Sequence, residues 1–76
     1  MKASEKFFDE VVAFFDPEQI TRETKFVEDL NATSMHYMYM IATIEELTKK
    51  EPSYAEMKAC KTVGDACNLC AALAGE

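Results

Sequence analysis

Apolar and polar positions along this chain recur mostly with the spacing of helices. Phe7, Phe8, Val11, Val12, Phe14 and Phe15 fall on one wide face at about 3.6 residues per turn, with Glu5, Lys6, Asp9, Glu10 and Ala13 opposite. This predicts a first helix, led in by Ser4 and ended at Asp16-Pro17, because the residue before a proline avoids the helical region. Asp16 can then cap a short turn with Pro17 at its first position. Ile20 to Leu30 sustains no period and reads as a long loop pinned by Ile20, Phe26 and Leu30. A loop of that length in a small domain is often functional.

A second helix is predicted from about Met35 to Thr48, after an N-cap at Thr33 or Ser34, whose hydroxyls can satisfy an orphan backbone N–H. Tyr37, Met40, Ile41, Ile44 and Leu47 share its core face. Met35, Met38, Tyr39 and Ala42 lie on the other side, near Glu45 and Glu46. An apolar stripe edged with acids suggests a contact surface. Periodicity equally allows a helix buried all round in a tight bundle. Glu51-Pro52 breaks the chain, and Ser53-Tyr54-Ala55-Glu56 fits a capping box that opens a short third helix to about Ala59. Thr62-Val63-Gly64-Asp65 is an acidic variant of the same box. It opens a fourth helix to about Ala74, with Val63, Ala66, Cys67, Cys70 and Leu73 inward and Gly75 as its stop. No strand pattern, internal repeat or low-complexity tract occurs. The expected fold is all-α: a four-helix bundle with a long loop between the first two helices and a short third helix, as a single domain over residues 1–76.

Size and charge narrow the function. A chain of 76 residues has a small core, burying about 60% of its unfolded surface, and favours local helical packing. A hydrophobic content of 49% argues against disorder. Fourteen acidic against eight basic residues give a net charge of -6, which argues against nucleic acid as a partner and for proteins with basic surfaces. No apolar run approaches the roughly 18 residues of a membrane span. Met1-Lys2-Ala3 leads into no signal-like apolar segment, so a cytoplasmic monomer is expected.

Most candidate chemistry dissolves on inspection. Cys67 and Cys70 have Cys-x-x-Cys spacing, but mid-helix on an apolar face, where free cysteine acts as a small hydrophobe. Zinc would need Cys60, Cys67, Cys70 and His36, at spacings that match no zinc finger. An odd cysteine count without a secretion signal argues against a disulfide framework. His36 is two residues from Ser34, and residues two apart on a helix do not face each other, so a Ser–His catalytic pair is poor. His36 reads as a solvated surface residue. No glycine-flanked nucleophile elbow, phosphate loop or calcium loop occurs. No catalytic residue is therefore assigned. Ser34 remains: a serine at a helix start sits where free N–H groups and the helix dipole favour an anion such as an attached phosphate.

The chain resembles the acyl carrier proteins from about Ser4 to Leu73. The resemblance rests on Phe26-Val27-Glu28-Asp29-Leu30-Asn31-Ala32-Thr33-Ser34-Met35, similar to the family's Phe-x-x-Asp-Leu-Gly-Ala-Asp-Ser-Leu. Ile44-Glu45-Glu46-Leu47, Pro52 and Thr62-Val63-Gly64-Asp65-Ala66 follow in order. It implies a 4'-phosphopantetheine arm on Ser34, transferred from coenzyme A by a phosphopantetheinyl transferase, whose thiol carries an acyl group as a thioester. It implies a carrier that catalyses nothing and serves acyl-loading, condensing and other biosynthetic enzymes of lipid, polyketide or related pathways. Met35, Met38, Tyr39, Ala42, Glu45 and Glu46 become the expected partner face. Phe26, Ile44, Cys60, Ala66 and Leu69 become the expected acyl pocket, with adaptable Met38, Met40 and Met57 as candidate walls. Thr33 stands where the family usually has Asp, and His36 and Tyr39 replace two acids of its second helix. These departures suggest a specialised carrier, with two alternatives: an unmodified helical adaptor, or an aminoacyl or peptidyl carrier.

Overall fold

A computed structural model describes residues 1–15 and 19–76, and the predicted Asp16-Pro17 turn lies outside the described residues. The chain is all-α, with helices α1 (Ala3–Phe15), α2 (Phe26–Leu30), α3 (Ser34–Thr48), α4 (Tyr54–Ala59) and α5 (Val63–Ala74). Among the described residues the β-type pairing is a lone bridge between Lys25 and Thr62. α1 packs chiefly on α5 and also on α3, and α3 is flanked by α4 and α5.

The predicted inward faces form the core. Phe7 and Val11 of α1, Tyr37, Met40 and Ile44 of α3, Met57 of α4, and Val63, Ala66, Cys67 and Cys70 of α5 are buried. Ile41, Leu47 and Leu73 pack at its margin half-buried, as do Phe8 and Phe15 of the wide α1 face. Phe26, from the loop, is fully buried among them.

Part of the predicted loop is helical. Residues 26–30 form a helical turn that periodicity could not show, since five residues hold too little of a 3.6-residue period. Its ends explain it. The Lys25 N–H donates to Asp29 Oδ2 at 2.8 Å, and Asn31 closes the helix in the left-handed region at φ 53°, which Asn tolerates.

The start of α5 ties that loop down. Helices leave their first four N–H groups without intrahelical partners. Here Val63 N–H donates to Thr24 O at 2.9 Å and Gly64 N–H to Arg22 O at 2.7 Å, while Asp65 N–H donates to Thr62 Oγ1 at 3.1 Å. The return bond, Phe26 N–H to Lys61 O at 3.1 Å, makes the contact two-way. Asp65 completes the predicted box by accepting from the Thr62 and Lys61 N–H groups, which hold its carboxyl below the usual carboxylate range. Ser53 and Glu56 cap α4 reciprocally at 3.0 and 2.8 Å, and Gly75 ends α5 at φ 77°.

Gly64 is required by proximity. A Cβ there would stand 2.9 Å from Arg22 O, the acceptor of its own N–H bond, and 3.3 Å from Arg22 Cβ. Gly64→Ala gains up to about 1 kcal/mol of helix propensity but forces an overpacked backbone contact that typically costs about 1–3 kcal/mol. Urea unfolding is expected to show a less stable variant; an unchanged or raised midpoint would contradict the close approach.

Candidate functional site

Ser34 is the first residue of α3, exposed, immediately after the N-cap residue Thr33. Its hydroxyl makes no hydrogen bond to a described side chain. α2 and α3 are joined by residues 31–33, and Ala32 N–H donates to Phe26 O at 2.9 Å. The short link therefore hangs from the backbone carbonyl of Phe26, whose ring is buried, and the serine projects from that corner. α3 runs 15 residues, so its dipole and free N–H groups at this end favour a phosphate on Ser34.

His36 is not a solvated residue, contrary to the expectation from sequence. Its Nδ1 accepts the Thr33 N–H at 2.8 Å and lies 3.1 Å from Thr33 Oγ1, so the third residue of the helix closes the cap. With Nδ1 as acceptor, the ring proton sits on Nε2. The ring stacks on Phe15 with centroids 4.6 Å apart and meets Phe14 edge-on at 5.1 Å. Tyr39, one turn on, stacks flat on Phe14 at 3.9 Å. The end of α1 thus braces the beginning of α3. Sequence reasoning missed this because nothing local announces which ring of α1 arrives beside His36.

The stripe on α3 is open to water. Met35 is 77% and Met38 62% exposed, Tyr39 keeps 39% despite its stack, and Ala42, Glu45 and Glu46 are exposed as well. The reading of a helix buried all round is therefore discarded. No charged residue occurs in α3 before Glu45.

The five expected pocket residues sit in or against the core. Phe26, Ile44 and Ala66 are fully buried, Cys60 is 8% exposed and Leu69 is half-buried. Met38, named with Met40 and Met57 as a pocket wall, instead faces solvent, while Met40 and Met57 are buried. Cys60 borders a cleft of about 230 Å³ shared with Val27, Glu28, Tyr37, Lys58 and Lys61.

All three cysteines are free and buried. Burial pushes Cys60 and Cys70 from 9.0 up to about 11, and raises Cys67 as well, with Arg22 opposing. No group of described His, Cys, Asp and Glu residues could hold a metal ion. The thiolate is the nucleophile and metal ligand, so these thiols are packing groups.

No protein-family profile and no solved structure matches the chain. Curated proteins do. The acyl carrier protein of Wolinella succinogenes is 38% identical over 50 residues, covering 66% of this chain and 66% of that protein. The acyl carrier protein of Chlamydia muridarum is 39% identical over 49 residues, covering 64% of each. The chain belongs to the acyl carrier protein family. Each matched stretch spans just under two thirds of the relative's length. In this family member the departures at Thr33, His36 and Tyr39 have structural partners: two form the α3 cap, and the third is half of an aromatic stack.

Two expectations follow. His36→Ala removes both the cap acceptor and the stack, lowering stability by about 1–2 kcal/mol; His36→Gln, which can still accept from Thr33, recovers the cap's share. Denaturant midpoints of the pair check this, and equal losses would contradict the capping role. The thiols titrate higher when folded than when unfolded, so their neutral form supports the fold fully below about 9. That support fades as pH rises from 9.0 towards about 11. Thermal melts across this range should fall with pH, and iodoacetamide should label the folded chain far more slowly than the unfolded one.

Proposed function

We propose that this protein is a non-catalytic carrier of acyl groups, held as thioesters on a 4'-phosphopantetheine arm attached to Ser34. The observation that carries the reading is the exposed Ser34 hydroxyl at the first position of α3, within the stretch that resembles the family's attachment segment. The residues present suit the arm. An unengaged hydroxyl meets water, the α3 N-terminus favours the phosphate, and the link to α2 holds the serine away from the core. When attached, the arm supplies the thiol that Cys60, Cys67 and Cys70, buried and raised in pKa, cannot offer.

The partner face is Met35, Met38, Tyr39 and Ala42, followed by Glu45 and Glu46. Its apolar half lies beside Ser34 and its acids about three turns further along α3. A phosphopantetheinyl transferase and the enzymes that load and process the cargo would dock there. The scarcity of acids near Ser34 supports a specialised carrier in lipid, polyketide or related biosynthesis. Apolar cargo would lodge among Phe26, Ile44, Cys60, Ala66 and Leu69. Several of these are closely packed, so such cargo must displace core contacts, with Cys60 at the open edge. Among the described residues no helix is long and apolar enough to cross a membrane.

Incubation of the unmodified chain with coenzyme A and a broad-specificity transferase is expected to add one phosphopantetheinyl mass, and Ser34→Ala to abolish the gain while retaining cooperative unfolding. No gain, or a gain that survives Ser34→Ala, would defeat the proposal.

A further inference from the structure

The cleft beside Tyr37 has a composition that the acyl-carrier reading does not use. Tyr37 is 2% exposed, its ring packed against Phe26 at 6.0 Å and Tyr54 at 6.3 Å. Its hydroxyl makes no hydrogen bond to a described residue, and yet no described buried side-chain oxygen is sealed off without a partner. Both statements hold if the hydroxyl opens into the cleft that Tyr37 lines. Burial, reinforced by Tyr54, Cys60 and Glu28, raises the Tyr37 pKa, so the oxygen keeps its proton and stays a donor.

The same cleft carries two cations. Lys58 Nζ lies 4.9 Å from the centre of the Tyr37 ring, and Lys61, just after α4, also lines the cleft. Neither forms an ion pair with a described residue. Glu28 also lines the cleft, with its carboxylate 3.9 Å from Lys25 Nζ. The lining is thus net positive in a chain of net charge -6. A cleft-facing O–H with no partner among the described residues, together with two ammonium groups that form no ion pair with them, is a donor set for a carboxylate. The cleft's volume of about 230 Å³ suits a small group. Tyr37 follows Ser34 by three residues, about 4.5 Å along the helix axis, so a long arm attached there would fold back along the protein to bring the end of its cargo to the cleft.

We infer that this cleft is a subsite for a carboxylate at the far end of a short acyl group, donated to by the Tyr37 hydroxyl and flanked by Lys58 and Lys61, so that the carrier favours dicarboxylic over simple fatty cargo. This rests on the attachment of cargo at Ser34, and the test separates the two ideas. Methyl succinate and methyl butyrate, equal in acyl length and differing in the terminal carboxylate, are titrated into the unmodified full chain. Binding is read from the NMR shifts of Tyr37, Lys58, Cys60 and Lys61. Methyl succinate should bind about tenfold more tightly, and Tyr37→Phe and Lys58→Gln should each bring it close to the butyrate ester. Tyr37→Phe keeps the ring in the core, and a thermal melt confirms its fold. Equal affinity for the two esters, or preference undiminished in both variants, overturns the subsite whatever happens at Ser34. The chain is then loaded from succinyl- or butyryl-coenzyme A by the transferase. The succinyl form should shift the same resonances and the butyryl form leave them in place. Binding of the free ester without a shift from the tethered succinyl group overturns the cargo assignment and leaves a site for a free carboxylate. Failure to load at all rejects the reading of Ser34, and the ester titration still decides the cleft.

Discussion

The structure depends on a backbone exchange between residues 22–26 and residues 61–64. Two loop carbonyls, Arg22 O and Thr24 O, accept the N–H groups that begin α5, and Lys61 O takes the Phe26 N–H in return. Each side supplies what the other lacks: a helix start has donors without acceptors, and an irregular loop has carbonyls without donors. The exchange holds Phe26 in the core, and Phe26 anchors the link that ends at Ser34. The exposed serine of the candidate site is thus positioned by contacts that its own helix does not make.

A second brace acts from α1. The rings of Phe14 and Phe15 meet Tyr39 and His36, and His36 closes the α3 cap through Thr33. The departures from the family pattern next to Ser34 therefore form one unit. An acid at the N-cap is exchanged for Thr33, and the N3 position supplies an imidazole acceptor that also packs. The local charge falls, the helix end stays satisfied, and the face beside the serine becomes aromatic and aliphatic. On the proposed reading of Ser34, that combination would suit partners with apolar surface near the serine and basic surface further along α3, opposite Glu45 and Glu46.

Much of this was legible beforehand, for identifiable reasons. The capping boxes at Ser53 and Thr62, the Gly75 stop and the inward faces of α1, α3 and α5 are local features, set by bonds or periodicities within one to three turns. Thr33 and Ser34 marked the start of α3 for the same reason. The five-residue α2 escaped because it is shorter than the pattern that would reveal it, and because its ends depend on Lys25–Asp29 bonding and a left-handed Asn31. Whether Met35 and Met38 face water could not be read from spacing, since an exposed and a fully buried helix share the same period.

The sequence by itself determined the helical class, the main helix ends, the acidic balance and the serine at a helix start, because each follows from short-range chemistry or from a simple sum over residues. Tertiary structure alone decided which side of α3 is covered, that His36 caps rather than floats, and why residue 64 has no side chain. It also placed Tyr37, Lys58 and Lys61 around one cleft. Those outcomes require segments distant in the chain to arrive at the same place, and a linear pattern carries no record of which surfaces will meet.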